Sequence, residues 1–221
     1  MMVRYSQFVF SILLLYLSTS YGPVSADQQA STMLQKLKQI NGDSKQRRTA
    51  MFAGEDRALI CGYCHGNDGN SVKPEVPNLA GQNPDYLLQQ IGRFARGERK
   101  DFVMNSLASK FTADEQINLT IFYASQKVKP SAVDPRKAKL GKILYRQQCQ
   151  ACHGENGHGK KGYARLAGQK PVYLNMTLKR FRDNAQGGAA SKKRRSPIME
   201  PIASRLTDMQ IQNLAAYIAG L

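Results

Sequence analysis

The chain has 221 residues, 42% of them hydrophobic, which is long enough and apolar enough to form packed cores. This composition excludes a disordered chain and predicts one or two domains. Lys and Arg number 32 against 16 Asp and Glu, a formal net charge of +16. Such an excess indicates an anionic partner, which could be nucleic acid, anionic lipid or an acidic protein. With only 4 Cys and 3 His, any metal or redox site draws on very few side chains.

The N-terminal segment 1–26 has the pattern of a secretory signal peptide. Arg4 supplies a positive charge, residues 8–17 form an apolar run, and Val24 and Ala26 fit the −3 and −1 positions of a cleavage site. The alternative is an anchor that stays attached, but the run is shorter than the ~20 apolar residues that span a bilayer. We therefore predict that residues 1–26 are removed and that the protein is exported.

An internal repeat divides the remaining chain into two similar copies. The segment 61–66 (CGYCHG) recurs at 149–154 (CQACHG), and the segment 79–82 (LAGQ) recurs at 166–169. Later matches keep the same order: Pro84 with Pro171, Tyr86 with Tyr173, Phe94 with Phe181, Met104 with Met199, Thr112 with Thr207 and Leu119 with Leu214. The spacing then grows by eight residues within 183–196, which places an insertion in the second copy.

The domain prediction follows this repeat. Residues 27–48 form an N-terminal extension, 49–129 the first domain, 130–135 a proline-containing linker, and 136–221 the second domain. Both domains are predicted to be all-α, because no sustained polar–apolar alternation indicates strands. Helices are expected at 31–40 in the extension, and at 57–61 and 138–148 before the two cysteine motifs. Two capping boxes, Thr112 with Glu115 and Thr207 with Gln210, predict a helix near the end of each copy.

Each Cys-x-x-Cys-His motif is typical of covalent c-type haem attachment. Two thiols three residues apart on a helical turn can form thioethers with the two vinyl groups of one porphyrin. The cysteines are Cys61, Cys64, Cys149 and Cys152, and the adjacent proximal iron ligands are His65 and His153. The alternatives are two disulfides, one zinc ion bound by four thiolates, or a thioredoxin-like dithiol. Disulfides give no reason for a histidine after each pair, and a shared zinc site gives no reason for each copy to carry its own set of downstream features. A thioredoxin-like dithiol requires a βαβ context that is missing.

The second axial ligand of each iron is predicted to be methionine. Three histidines cannot supply four axial positions, and His158 is too close to His153 in the chain to reach the opposite haem face. Methionine is the usual alternative in cytochromes c and raises the reduction potential. A single methionine is more often core filling. However, Met104 and Met199 occupy equivalent places in the two copies, so they are the expected ligands, and His158 is expected at the surface.

With both motifs assigned, residues 55–221 resemble the cytochrome c4 family of dihaem cytochromes c. The resemblance rests on the two haem motifs, the LAGQ segments, the stretch 94–97 and the closing helices. It implies two class I cytochrome c domains in tandem, two covalently bound haem c groups and a periplasmic electron carrier without catalytic activity. Its partners would be respiratory proteins, for example a haem–copper terminal oxidase. Alternatives are a cytochrome subunit of a redox enzyme complex such as flavocytochrome c sulfide dehydrogenase, or a catalytic dihaem cytochrome with an open iron site.

The chain departs from the family pattern in three places. The family often has a proline two residues before LAGQ, whose carbonyl accepts a hydrogen bond from the proximal histidine. Pro77 fits this pattern, but Ala164 stands there in the second copy. The insertion at 183–196 and the extension at 27–48 are the other two departures.

The positive charge is concentrated in the second copy. Residues 27–130 hold 14 Lys and Arg against 11 Asp and Glu, whereas residues 131–221 hold 17 against 5. The run Lys192, Lys193, Arg194 and Arg195 is either a solvated loop or a docking patch for an acidic redox partner or an anionic membrane surface. Nucleic-acid binding is not expected, because an exported haem protein without a recognition motif has no such role.

Overall fold

The computed structural model describes residues 25–160, 162–187 and 194–221, and within these ranges the regular structure is helical, with no strand. The signal peptide predicted at 1–26 therefore lies almost entirely outside the described residues. The helices are α1 (Ala26–Gly42), α2 (Ser44–His65), α3 (Pro84–Ala95), α4 (Phe102–Ala108), α5 (Ala113–Ser125), α6 (Pro135–Gln148), α7 (Gln150–His153), α8 (Pro171–Ala185), α9 (Met199–Ala203) and α10 (Asp208–Ala219). Within the same ranges, no helix has the length and apolarity to cross a membrane.

Side-chain caps determine where several helices begin. Asp43 separates α1 from α2, and its carboxylate accepts hydrogen bonds from the backbone N–H groups of Lys45 at 2.9 Å and Gln46 at 2.8 Å. The two predicted capping boxes are present at the starts of α5 and α10. Thus the same cap chemistry starts the C-terminal helix of each copy.

In each copy, a glycine lies in the helix that leads into the haem motif and allows that helix to cross the C-terminal helix closely. A Cβ on Gly54 in α2 would approach the Asn118 carbonyl of α5 to under 3.0 Å. A Cβ on Gly141 in α6 would do the same to the Asn213 carbonyl of α10. The core of the second unit forms around this crossing and contains Tyr145, Leu174, Leu206, Ile211, Leu214 and Ile218.

The N-terminal extension packs onto the first unit. Leu37 of α1 is 1% exposed and lies in one core cluster with Leu88 of α3 and Ile117 and Ile121 of α5. The helix predicted at 31–40 extends over the longer range 26–42, and the boundary predicted at residue 49 falls inside α2. The extension is therefore outside the repeat in sequence, but it contributes apolar surface to the first core.

The two LAGQ segments connect the units by reciprocal hydrogen bonds. Gln82 of the first copy accepts from the Arg165 N–H at 2.6 Å and donates to the Arg165 carbonyl at 2.9 Å. Gln169 of the second copy accepts from the Asn78 N–H at 2.7 Å and donates to the Asn78 carbonyl at 3.0 Å. All four residues are buried, so these bonds are shielded from water. The pairing therefore joins the two units through equivalent segments.

Candidate haem sites

The first haem motif lies at the end of α2. Cys61, Cys64 and His65 occupy its last turns, and Gly66 ends the helix with a φ of 77°. His65 is 7% exposed, and its Nδ1 lies 2.9 Å from the carbonyl oxygen of Pro77. When Nδ1–H donates to this carbonyl, the ring orientation is fixed and Nε2 is left to bind a metal.

The second motif has a slightly different local structure. Cys149 interrupts the helix between α6 and α7, and His153 ends α7. The Nδ1 of His153 lies 2.9 Å from the carbonyl oxygen of Ala164, the same distance as at the first site. The missing proline therefore does not remove the hydrogen bond, because the acceptor is a backbone carbonyl that any residue supplies.

Burial determines the protonation of these groups. It lowers the pKa of His65 and of His153, because it disfavours the imidazolium form, so both rings are neutral at pH 7 and can bind a metal. It raises the pKa of the Cys149 thiol to about 11 and also raises the pKa of Cys61. No disulfide joins any of the four cysteines, which disagrees with a disulfide framework. The described part of the chain also holds no cluster of three His, Cys, Asp or Glu residues suited to a metal ion, so it gives no support to a shared zinc site.

Both motifs line one continuous cavity of ≈460 Å³ between the two units. Met104 and Met199 line it as well, the first in α4 and the second at the start of α9. Met33 and Met51 pack instead against the core of the first unit, and Met209 is 69% exposed. The structure therefore brings the two repeat-related methionines to the same cavity as the two cysteine motifs. His158 is exposed, as predicted.

Equivalent polar residues hold the two methionine loops. In the first copy, the Asn105 side chain accepts from the Asp101 N–H at 2.7 Å. In the second copy, the Glu200 carboxylate accepts from the Ser196 N–H at 2.9 Å. Glu200 also pairs with Arg195, whose Nε lies 2.8 Å away. The acceptor that holds the second loop is therefore the ion-paired carboxylate of Glu200, whereas the first loop is held by the neutral amide of Asn105.

The structure changes the predicted docking patch. Lys192 and Lys193 lie outside the described residues. Arg195 forms an ion pair with Glu200, although its side chain is 58% exposed. Arg194 points inwards and donates hydrogen bonds to the hydroxyls of Tyr86 and Tyr173. It is therefore an interface residue and not part of an exterior patch, because its guanidinium finds hydroxyl acceptors inside the cavity.

Three comparisons with known proteins place the chain in a family. Residues 138–221 match the protein family described as Cytochrome c. Cytochrome c4 of Azotobacter vinelandii is 35% identical over 188 residues, which is 76% of this chain and 88% of that protein. The chain belongs to the cytochrome c4 family. The crystal structure of reduced recombinant cytochrome c4 from Pseudomonas stutzeri matches with a TM-score of 0.69 at 32% identity, covering 77% of this chain and 98% of that one. A thiosulfate dehydrogenase electron acceptor of Thiomonas intermedia is 28% identical over 181 residues.

Membership in this family gives the chain its class of function and its cofactors. It is a dihaem cytochrome that carries electrons and is not an enzyme, and it carries two covalent haem c groups. The residues present fit these groups: four cysteines not used in disulfides, two neutral histidines with oriented rings, and a largely apolar cavity lined by both motifs. The all-α fold of two class I cytochrome c domains, which the family resemblance implied, is confirmed by the cytochrome c4 structures.

Proposed function

We propose that the two copies form equivalent haem sites with His–Met ligation. The thioethers form at Cys61, Cys64, Cys149 and Cys152, and the axial pairs are His65 with Met104 and His153 with Met199. What carries this assignment is the placement of all eight side chains around one cavity in repeat-related positions. When bound, each haem supplies a one-electron couple between ferric and ferrous iron.

The protein's own residues control how that couple behaves. The Pro77 and Ala164 carbonyls hold the two histidine rings in one orientation, which favours iron binding through Nε2. The apolar lining excludes water from the iron sites and keeps thioether sulfur an effective ligand. Because a methionine fills the remaining axial position, no site for substrate is left at either iron. The proposed ligation therefore favours electron transfer over catalysis.

Spectroscopy of the purified protein tests the ligand assignment. We expect two haems per chain and a methionine–iron charge-transfer band in the ferric protein. In Met104→Ala and Met199→Ala, each variant should lose about half of that band, and the affected haem should have a lower potential. Met209→Ala is the matched control, since Met209 is exposed. High-spin iron in the unmodified ferric protein would contradict the assignment.

We further propose that the carrier works in the periplasm, between respiratory partners that include a haem–copper terminal oxidase. The predicted signal peptide and the family support this location. A second candidate role is acceptance of electrons from a thiosulfate-oxidising enzyme, favoured by the similarity to the thiosulfate dehydrogenase electron acceptor. Stopped-flow mixing distinguishes the roles. The oxidised protein is mixed with a reduced respiratory donor and, separately, with a reduced thiosulfate-oxidising enzyme, and the physiological donor should react at least tenfold faster than the other.

The outer face of α6 is our proposed docking surface for an acidic redox partner. The helix carries five cationic residues and no acid: Arg136, Lys137, Lys139, Lys142 and Arg146, all exposed. Leu140 and Ile143 are 55% and 56% exposed among them, which gives a small apolar contact inside a cationic ring. Two apolar side chains are too few for insertion into a membrane, so an acidic protein is the better match.

Charge reversal on α6 tests the docking surface. Lys139→Glu with Lys142→Glu should slow electron transfer to an acidic partner about tenfold at low salt, and the difference should shrink as ionic strength rises. Lys38→Glu with Lys45→Glu changes the net charge equally on exposed positions of the first unit and serves as the control. Equal slowing in both double variants would show a general charge effect and would reject α6 as the surface.

A further inference from the structure

Two arginines and two tyrosines form a symmetric cluster in the wall of the shared cavity. Tyr86 in α3 and Tyr173 in α8 are equivalent in the repeat. Arg99 and Arg194 are also equivalent, since each lies five residues before a cavity methionine. All four side chains line the cavity. The cluster therefore combines one arginine and one tyrosine from each copy.

The hydrogen bonds in this cluster cross between the units. Arg99 of the first copy donates from Nη2 to the Tyr173 hydroxyl of the second at 3.2 Å. Arg194 of the second copy donates to the Tyr86 hydroxyl of the first, and also to Tyr173 at 3.0 Å.

Aromatic rings hold the two guanidinium groups in equivalent positions. The Cζ of Arg99 lies 4.4 Å from the ring centre of Phe94, and that of Arg194 lies 5.0 Å from the ring centre of Phe181. Phe94 and Phe181 are themselves repeat-related. Both guanidinium planes are thus fixed at the boundary between the two haem sites.

The cluster holds two positive charges and no negative one. Every Asp and Glu of the chain lies in the described residues, and none of them forms an ion pair with Arg99 or Arg194. The pKa of Tyr173 is lower than the ordinary tyrosine value. Burial alone would raise it, but the positive charges of Arg194 and Arg99 outweigh burial. Two half-buried guanidinium groups close together without a counter-ion are unfavourable, so the site favours an anion. Guanidinium groups bind carboxylates through paired N–H donors.

We propose that Arg99 and Arg194, assisted by the hydroxyls of Tyr86 and Tyr173, form one carboxylate clamp that binds the propionates of both haems. This inference rests on the proposed haem sites. Because each guanidinium contacts the opposite unit, its charge acts on both iron centres. The clamp therefore raises both reduction potentials, in addition to holding the propionates at the interface.

Potentiometric titration of both haems in the holoprotein tests the clamp. Removing a positive charge disfavours the reduced, less positive iron, so Arg99→Gln and Arg194→Gln should each lower both potentials. The expected change at the nearer haem is about tenfold in the reduction equilibrium, or 59 mV for one electron, with a smaller shift of the same sign at the other. Arg48→Gln removes the charge of an exposed side chain outside the proposed docking surface, and it is the control.

Two more conservative variants test the clamp if an arginine-to-glutamine variant does not fold or does not bind haem. Arg194→Lys retains the charge and should keep both potentials close to those of the unmodified protein, whereas Tyr173→Phe removes the shared hydroxyl and should shift both. A shift confined to one haem, or no larger than that of Arg48→Gln, overturns the clamp. Haem content and the methionine band are recorded for every variant. Absence of the two haems or of the methionine band from the unmodified protein would instead contradict the proposed haem sites.

Discussion

The helix crossing at Gly141 gives a sharp stability prediction. In Gly141→Ala, the new methyl group would meet the Asn213 carbonyl and the Tyr217 Cβ of α10 at under 3.0 Å. Backbone atoms of a packed helix cannot rotate away, so α6 and α10 must separate. Overpacking of this kind costs about 3 kcal/mol, and the better helix propensity of Ala returns about 1 kcal/mol. The expected net loss is thus about 2 kcal/mol for the second unit.

Thermal unfolding followed by far-UV circular dichroism measures this loss. A change of about 2 kcal/mol should lower the Tm of a domain of this size by roughly 10 °C. Gly42→Ala is the matched control, because nothing lies within 4 Å of the added methyl group at the end of α1. That variant should be neutral or slightly more stable. If Gly141→Ala unfolds at the same temperature as Gly42→Ala, the prediction that α6 and α10 cross too closely to accept a methyl group is refuted.

Three further predictions test other parts of the fold. Leu37→Ala should destabilise the first unit by about 3 kcal/mol in chemical denaturation, because the side chain is fully buried; an unchanged midpoint would mean that α1 is not part of that core. Glu200→Gln should lower the temperature at which the methionine band of the second haem is lost, with exposed Glu155→Gln as control. Hydrogen bonds from Lys179 and Arg182 lower the pKa of Asp208, so its stabilising contribution is present above the ordinary carboxyl pKa. The stability difference between the unmodified protein and Asp208→Asn should therefore shrink as pH falls below about 4.

The features that sequence reasoning predicted well are local and occur twice. The capping boxes at Thr112 and Thr207 depend on residues three positions apart, and both are present. The placement of Met104 and Met199 could be predicted because the repeat singles them out among the methionines, and both line the cavity. A local pattern specifies a local geometry, and its recurrence separates it from chance.

The features that sequence reasoning missed depend on contacts between distant segments. Leu37 looks like one apolar residue in a short amphipathic helix, and nothing nearby in the chain indicates the core of α3 and α5 that covers it. Arg194 lies in a basic run, where solvent exposure is the usual expectation, yet it turns inwards to two tyrosines. A signal was nevertheless available, since Arg99 occupies the equivalent position before Met104.

The inward position of Arg194 also changes how the charge of the second unit is interpreted. Two of the four basic residues of the run 192–195 are engaged within the protein, Arg194 with the tyrosine hydroxyls and Arg195 with Glu200. The exposed cations of α6 have only one ion pair among the described residues, the 4.0 Å contact of Arg136 with Asp134. Charges that are not neutralised by neighbours produce the long-range field that steers a partner, whereas paired charges produce little. Docking should therefore depend on α6, and the insertion should affect the second haem through Arg194 and Glu200.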